Sequence, residues 1–281
     1  MVSFQQFAPA LPLRPFIRAY QYLDHPGGTK PSLQRVVPDG CLELNFCLGM
    51  DVRRREITGG LTERQLTGVY VVNRTDAPYF LQRTGATRVI SVLFYPGAAQ
   101  RFTSFPLGLL ANSTVPAIEV FGKSILHLGE RIGNTAGIPE IIGLLNAYWL
   151  STPNRSGQDF RSLNEAVRLI MRPNEGGSVS TLASSSGITR FRLEQLFTEQ
   201  VGTTPGVLFR LMRFRGALRT IIRKRDTQLA ILGESIGYGD QSHLWRDFMM
   251  FTGTNPRRYR KEGQPLNNAM MRLFDAAPEH A

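Results

Sequence analysis

Residues 187–197 read Gly-Ile-Thr-Arg-Phe-Arg-Leu-Glu-Gln-Leu-Phe, and residues 237–248 read Gly-Tyr-Gly-Asp-Gln-Ser-His-Leu-Trp-Arg-Asp-Phe. The two stretches are copies of one pattern that extends outward on both sides. Leu182-Ala183, Gly187-Ile188-Thr189, Leu193, Phe197, Gly202 and Pro205 recur as Leu232-Gly233, Gly237-Tyr238-Gly239-Asp240, Leu244, Phe248, Gly253 and Pro256. The offset is 50 residues before the turn and 51 after it. Each copy has the grammar of a helix-turn-helix: a small residue where two helices cross, a glycine ending the first helix, an N-cap, then a second helix with an apolar inner face.

Placing Leu193, Leu196 and Phe197 inward leaves Arg190, Phe191, Arg192, Glu194 and Gln195 free to meet a groove, with Thr189 as the cap. In the second copy Asp240 caps, Leu244 and Phe248 face in, and Gln241, Ser242, His243, Trp245 and Arg246 remain outside. A helix in the major groove reads bases with forked donors or paired donor and acceptor groups, which Arg246, Gln195 and Gln241 possess. Ser242 and His243 suit a base or a phosphate, and the amides of a helix N-terminus also clasp phosphate. Between the copies, Leu208 to Ile222 reads as a helix carrying Arg210, Arg213, Arg215 and Arg219. A rigid helix there sets the spacing of two reading helices, which must lie about 34–36 Å apart on one face of B-DNA. One such unit alone is equally an ordinary helical hairpin, and arginines on a helix are more often a solvated face than phosphate ligands.

Charge agrees with the repeat. The 281-residue chain has a net charge of +11. Residues 160–263 hold 17 Lys/Arg against 9 Asp/Glu (+8), and residues 1–159 hold 15 against 11 (+4). A basic unit draws polyanions through counterion release. No 18-residue apolar run suggests a membrane span, and residues 1–6 lack signal-peptide blocks. Cys41 and Cys47 are too few for a disulfide framework, so the expected compartment is the cytoplasm.

Residues 1–110 read as β-rich, with runs at Cys41–Leu48, Val69–Val72 and Val89–Tyr95 and a hairpin turn at Thr84-Gly85-Ala86. In the first run Leu42, Leu44, Phe46 and Leu48 alternate with Cys41, Glu43, Asn45 and Cys47, the period of a half-buried strand. Ala117–Ile132 and Pro139–Leu150 read as helices, the second more apolar than a lone solvated helix. Its place is the domain core, with a dimer seam as the alternative. Ser151–Gln158 has linker composition. Beyond it, helices are expected at Leu163–Met171, Val179–Ser185, Arg190–Glu199, Thr204–Arg223, Gln228–Ile236, Ser242–Met250 and Pro256–Glu262, and a short capping helix through Leu266, Met270, Leu273 and Phe274. The fold expected is α+β in two domains. A β-rich barrel or sandwich with trailing helices (1–152) joins through a linker (153–159) to an all-α double helix-turn-helix (160–263), followed by a tail (264–281).

These residues amount to a family resemblance. Val179–Lys261 resembles the DNA-binding domain of AraC/XylS-type transcriptional regulators. The matches are Gly202-Thr-Thr-Pro205, Arg213-Phe214-x-x-Ala217, Gly237-Tyr238-x-Asp240-Gln241-Ser242-x-Leu244-x-Arg246-x-Phe248 and Gly253-Thr-Asn-Pro256-x-x-Tyr259-Arg260. The resemblance implies two helix-turn-helix subdomains joined by a long helix, each offering one helix to successive major grooves. By position, Phe191, Glu194 and Gln195 face bases in the first unit, and Ser242, His243 and Arg246 in the second. The chain departs from the family at Gln195, where Arg is common, at Gly233, where Ala is usual, and at Trp245, where a small hydroxyl residue is usual. Gly233 costs about 1 kcal/mol of helix propensity. Pro38-Asp39-Gly40-Cys41-x-Glu43-Leu44 and Phe94-Tyr95-Pro96-Gly97-Ala98 resemble the N-terminal domain of one subgroup of these regulators, a cupin-like barrel or β-sandwich. The resemblance implies that this domain senses a small molecule, pairs protomers, or both.

The first domain offers little catalytic chemistry. His25 and His127 do not make a metal cluster, so no metal or other cofactor is expected. Asp39, Glu43 and Asn45 are the candidate pocket residues, and turn chemistry or a solvated strand face explains them equally well. Cys41 and Cys47, six residues apart, read as packing before redox or metal sensing. The functional expectation is a sequence-specific DNA-binding transcription regulator, not an enzyme. Its partners are double-stranded DNA and no membrane, with RNA polymerase, a small-molecule effector and a second copy of the chain as further candidates. Two alternatives stand beside it: a small-molecule enzyme domain tethered to nucleic acid, and a non-specific architectural DNA-binding protein.

Overall fold

The computed structural model describes residues 3–27, 32–49, 52–56, 63–73, 75–83, 85–155, 157–172, 178–223, 238 and 241–262. The N-terminal half is a sandwich of two antiparallel sheets. One contains, in spatial order, β1 (Ser3–Phe7), β2 (Ile17–His25), β9 (Thr87–Phe94), β4 (Leu42–Gly49), β7 (Val69–Asn73) and β10 (Thr114–Pro116). The other contains β3 (Ser32–Val36), β8 (Tyr79–Arg83), β5 (Val52–Glu56) and β6 (Glu63–Leu66). Gly85 and Ala86 therefore link strands of different sheets, and the hairpin expected there is a crossover between layers.

Strand β4 shows why the layering matters. Its Leu42, Leu44 and Phe46 face a core shared with three helices, α1 (Ala117–Phe121), α2 (Ser124–Gly133) and α3 (Ile138–Ser151). Its Glu43 and Asn45 point the other way and are also buried, because the second sheet covers them. The alternation predicts a half-buried strand; the strand is buried on both faces because its sheet is the middle layer. The helix expected over 117–132 is split at Gly122, whose φ of +78° breaks the regular turn. Helix α3 lays one apolar stripe on its own domain and leaves Leu150 exposed. Ile141, Leu145 and Trp149 are buried, and the Trp149 ring meets Phe94, Phe102, Phe121 and Tyr148 at centroid distances of 4.9–5.4 Å.

The C-terminal half is helical: α4 (Gln158–Met171), α5 (Val179–Ser185), α6 (Arg190–Gln200), α7 (Pro205–Arg223), α8 (Gln241–Thr252) and α9 (Pro256–Glu262). The helix expected at Gln228–Ile236, with Gly233, Gly237 and Gly239, and the tail helix through Leu266 and Phe274 lie outside the described residues. One apolar core runs through the described helices, from Leu163 and Val167 of α4 through Leu196 and Phe197 of α6 to Phe214 of α7 and Phe248 of α8. Helix α7 carries buried residues along its length, from Leu208 to Ile221, which lets it pack against both α6 and α8.

The two halves are docked on each other. Val37 of the sandwich belongs to the helical core. The Asn73 Nδ2 donates to the Val201 carbonyl at 3.1 Å, and Arg215 Nη1 of α7 donates to the Pro38 carbonyl at 3.2 Å. From β3, Arg35 donates to the Thr252 carbonyl at the end of α8 and pairs with Glu262 of α9 at 3.0 Å. A Cβ on Gly108 would lie 2.1 Å from the Thr198 carbonyl oxygen, so α6 approaches the sandwich as closely as backbone allows.

Candidate nucleic-acid interface and inter-sheet cavity

The first helix-turn-helix follows its local rules. The Ser178 Oγ caps α5 by accepting from the Thr181 amide at 3.1 Å, and the Thr189 Oγ1 caps α6 by accepting from the Arg192 amide at 3.2 Å. Gly187 takes the positive φ of +67° that a chain reversing between two helices needs. Both second helices end on the same device, Gly202 at φ +82° and Gly253 at φ +66°. Leu182 and Ala183 of α5 pack against Leu193, Leu196 and Phe197 of α6, so the outer face of α6 is turned to solvent.

That face is largely occupied with itself. Arg190 Nε pairs with Glu194 Oε1 at 2.9 Å, one helical turn on. Arg192 bonds Asp159 of α4 at 2.5 Å and Gln195 at 2.8 Å, and Gln195 Nε2 donates to Glu199 at 2.8 Å. The Asp159 hydrogen bond pushes the Arg192 pKa above its usual range. Phe191 is 77% exposed, so it is an apolar side chain presented to water without a partner layer over it. Two arginines on this surface meet three carboxylates, which leaves little net positive charge for a phosphate backbone.

Helix α8 is arranged differently. Leu244, Phe248 and Phe251 are buried, Trp245 is half-buried, and Ser242, His243 and Arg246 are exposed. Its acid, Asp247, is turned inward, where Oδ1 accepts from Arg210 of α7 at 2.6 Å and Oδ2 accepts from the Tyr238 hydroxyl at 3.0 Å. Burial, followed by the Asp247 charge, pushes the Tyr238 pKa well up, so this hydroxyl stays a donor. Among the described residues, the Arg246 Nε bonds the Ser242 carbonyl of its own helix, at 3.3 Å. Helix α9 follows with Arg257, Arg258 and Lys261 exposed against Glu262. Cationic surface therefore gathers on the second unit. Asp240 and the side chain of Gln241 lie outside the described residues.

The connecting helix uses its arginines as structure. Arg210 holds Asp247, Arg215 is buried against Pro38, and the exposed Arg213 stacks over the Tyr238 ring at 5.0 Å. Asp247 was not among the residues that the sequence singled out. Its spacing of three from Leu244 and one from Phe248 places it on the inner helix face, where a charge needs a partner.

In the sandwich, Glu43 and Asn45 line a cavity between the sheets, together with Gln21, Gln34, Tyr70, Arg83 and Ser91 and a largely apolar remainder. Asp39 does not line it. Its Oδ1 accepts from the Cys41 amide at 3.0 Å and shapes the turn at Gly40, whose φ is +76°. A Cβ on Gly40 would sit 2.7 Å from Leu208 of α7, and one on Gly97 2.9 Å from Leu163 of α4. The Pro38–Cys41 and Phe94–Ala98 motifs thus form docking surfaces for the helical half. Cys41 is buried before β4 and Cys47 is half-buried on it, and neither is part of a disulfide among the described residues.

The profile of a domain of unknown function, DUF6597, matches residues 5–116, and that of a helix-turn-helix domain matches residues 182–262. The transcriptional activator RclR of Escherichia coli is 27% identical over 99 residues, 35% of this chain and 34% of its own. A putative AraC-like transcription regulator of Streptomyces antibioticus is 35% identical over 94 residues, 33% of this chain and 30% of its own. Each match thus spans about a third of the relative's length. Among solved structures, ToxT of Vibrio cholerae aligns over 92% of this chain and 97% of its own at 8% identity, with a TM-score of 0.44.

Proposed function

We propose, for a chain whose residues 182–262 are an AraC-type helix-turn-helix domain, that the whole protein is a sequence-specific transcription regulator in which α8 is the principal reading helix. The observation that carries this is the asymmetry of the two units. Helix α8 exposes Ser242, His243 and Arg246 while its only acid is locked inward by Arg210 and Tyr238. Arg246 is then the forked donor for a guanine edge, with Ser242 and His243 beside it and Asp240, Gln241 and Trp245 flanking. Helix α6, with Thr189, Arg190, Phe191, Arg192, Glu194 and Gln195, is the weaker reader, since its donors already have partners. Arg213 supports α8 through Tyr238 and is also placed to reach a phosphate.

Residues 1–152 serve as the sensing or pairing unit and residues 160–263 as the DNA unit, joined at 153–159. The effector site is the inter-sheet cavity. RNA polymerase and a second copy of the chain are further partners in the cytoplasm, and no described helix is long and apolar enough to cross a membrane. The N-terminal half acts by binding and not by catalysis.

Footprinting of genomic fragments with the purified chain tests the reading. Discrete protected sites with half-site centres one helical turn apart are expected, with affinity falling steeply as salt rises. Protection without sequence preference at moderate salt overturns it and favours an architectural role.

A further inference from the structure

The cavity between the sheets holds a buried cation that the protein itself does not fully satisfy. Arg83, at the end of β8, is 6% exposed and lines the cavity. Its Nη1 donates to Gln34 Oε1 at 2.7 Å, while its Nε is buried with no partner among the described residues. Other polar groups of the lining are already bonded: Ser91 Oγ to Asn45 Oδ1 at 2.6 Å, and Gln21 Nε2 to Gln6 Oε1 at 3.1 Å. Burial pulls the Arg83 pKa down, the cost of holding a guanidinium away from water. Glu43 lies on the facing sheet and its charge acts on Arg83, after Tyr70, Tyr79 and Cys47. Most of the rest of the wall is apolar, with Leu23, Val36, Val52 and Val72 beside the rings of Phe4 and Tyr79.

We propose that this cavity takes a small organic acid with an apolar body, whose carboxylate sits on the Nε edge of Arg83. A guanidinium edge and a carboxylate match in a two-point, charge-assisted bond, and a buried orphan donor is stabilised most by an acceptor that also carries charge. The proposal rests on the reading of the N-terminal half as a sensor, and it supplies the ligand chemistry and a route outward. Gln34, which holds Arg83, and Val36 face the cavity from β3. Arg35 between them points to the opposite side, stacks on Phe80 at 4.7 Å, and grips the last turn of α8 through the Thr252 carbonyl. Strand β3 is an edge strand paired only with β8, which carries Arg83. A ligand that draws Arg83 off Gln34 acts on the strand that anchors the reading helix.

Calorimetric titration of the full-length chain with four probes of equal length tests this: hexanoate, 2-aminohexanoate, 1-hexanol and hexylamine. Saturable binding of an acid is expected, with hexanol at least about tenfold weaker and hexylamine weaker still. The two acids share the carboxylate, and the tighter one tells a simple acid from an amino acid whose ammonium faces Glu43. Arg83→Met should weaken acid binding at least about tenfold and abolish any effect of the acid on DNA affinity, while near-ultraviolet circular dichroism stays native. If that variant does not fold, the charge series on the unmodified chain still decides. Hexanol binding as tightly as hexanoate, preference for hexylamine, no saturable acid binding, or unchanged binding by a folded Arg83→Met overturns the site. Arg83-dependent acid binding that leaves DNA affinity unchanged refutes the sensing role and keeps the site. Intact DNA binding without acid binding overturns the site and leaves the DNA-binding reading standing.

Discussion

Arg246 and Asp247 are neighbours in sequence with opposite tasks, one turned to solvent and one to the core. Replacing Arg246 with Ala removes a forked donor and nothing from the interior. The expected loss is about 1–3 kcal/mol on a cognate duplex, much less on random duplex, with relaxed preference at one base pair. Fluorescence anisotropy on both duplexes checks it, and equal losses would remove Arg246 from the reading role. Asp247→Ala leaves the Tyr238 hydroxyl and Arg210 without their shared acceptor. Arg210 is 41% exposed and recovers water, so the cost is set by the buried hydroxyl, about 1–3 kcal/mol. A lowered Tm by calorimetry is expected, together with weaker DNA binding because α8 loses its seat.

Helices α6 and α8 share glycine stops and apolar inner faces, yet their outer faces differ in charge. On α6 the bonds among Arg190, Glu194, Arg192, Gln195 and Glu199 must be broken before those groups meet DNA. Exposed pairs of this kind contribute only about 0–1 kcal/mol each, so they weaken the helix as a reader without silencing it. Phe191→Ala and Gln195→Ala should therefore each cost less cognate affinity than Arg246→Ala in the same anisotropy assay. If either abolishes binding, α6 is the main reader and the ranking of the two units is reversed.

Across the whole molecule, the sandwich holds both helix-turn-helix units, α6 through the turn at Gly108 and α8 through Arg35. Gly108→Ala puts a methyl 2.1 Å from the Thr198 carbonyl oxygen, against backbone that cannot turn aside. The two halves should separate at that contact while each keeps its own core, because the helical core and the sandwich core are distinct clusters. Limited proteolysis should then cut faster within 151–158, with far-ultraviolet circular dichroism unchanged. Loss of secondary structure instead would mean that neither half holds its core unaided.

The sequence by itself determined the helix-turn-helix pattern, because caps, positive-φ glycines and apolar spacing act within a few residues. Ser178, Gly187, Thr189, Gly202 and Gly253 each do their work within one helical turn. The strands at Leu42, Val69 and Thr87 were legible for the same reason. Which side of β4 meets a cavity was not, since period-2 alternation says that two faces differ and not what covers each. Only the second sheet made Glu43 and Asn45 cavity residues, and only helix α7 made Pro38–Gly40 a docking turn. Arg35 reaches Thr252 across 217 residues of chain, and Asn73 reaches Val201 across 128. No local pattern specifies such partners: a buried arginine or asparagine must find an acceptor, and which one it finds is settled when the two cores close on each other.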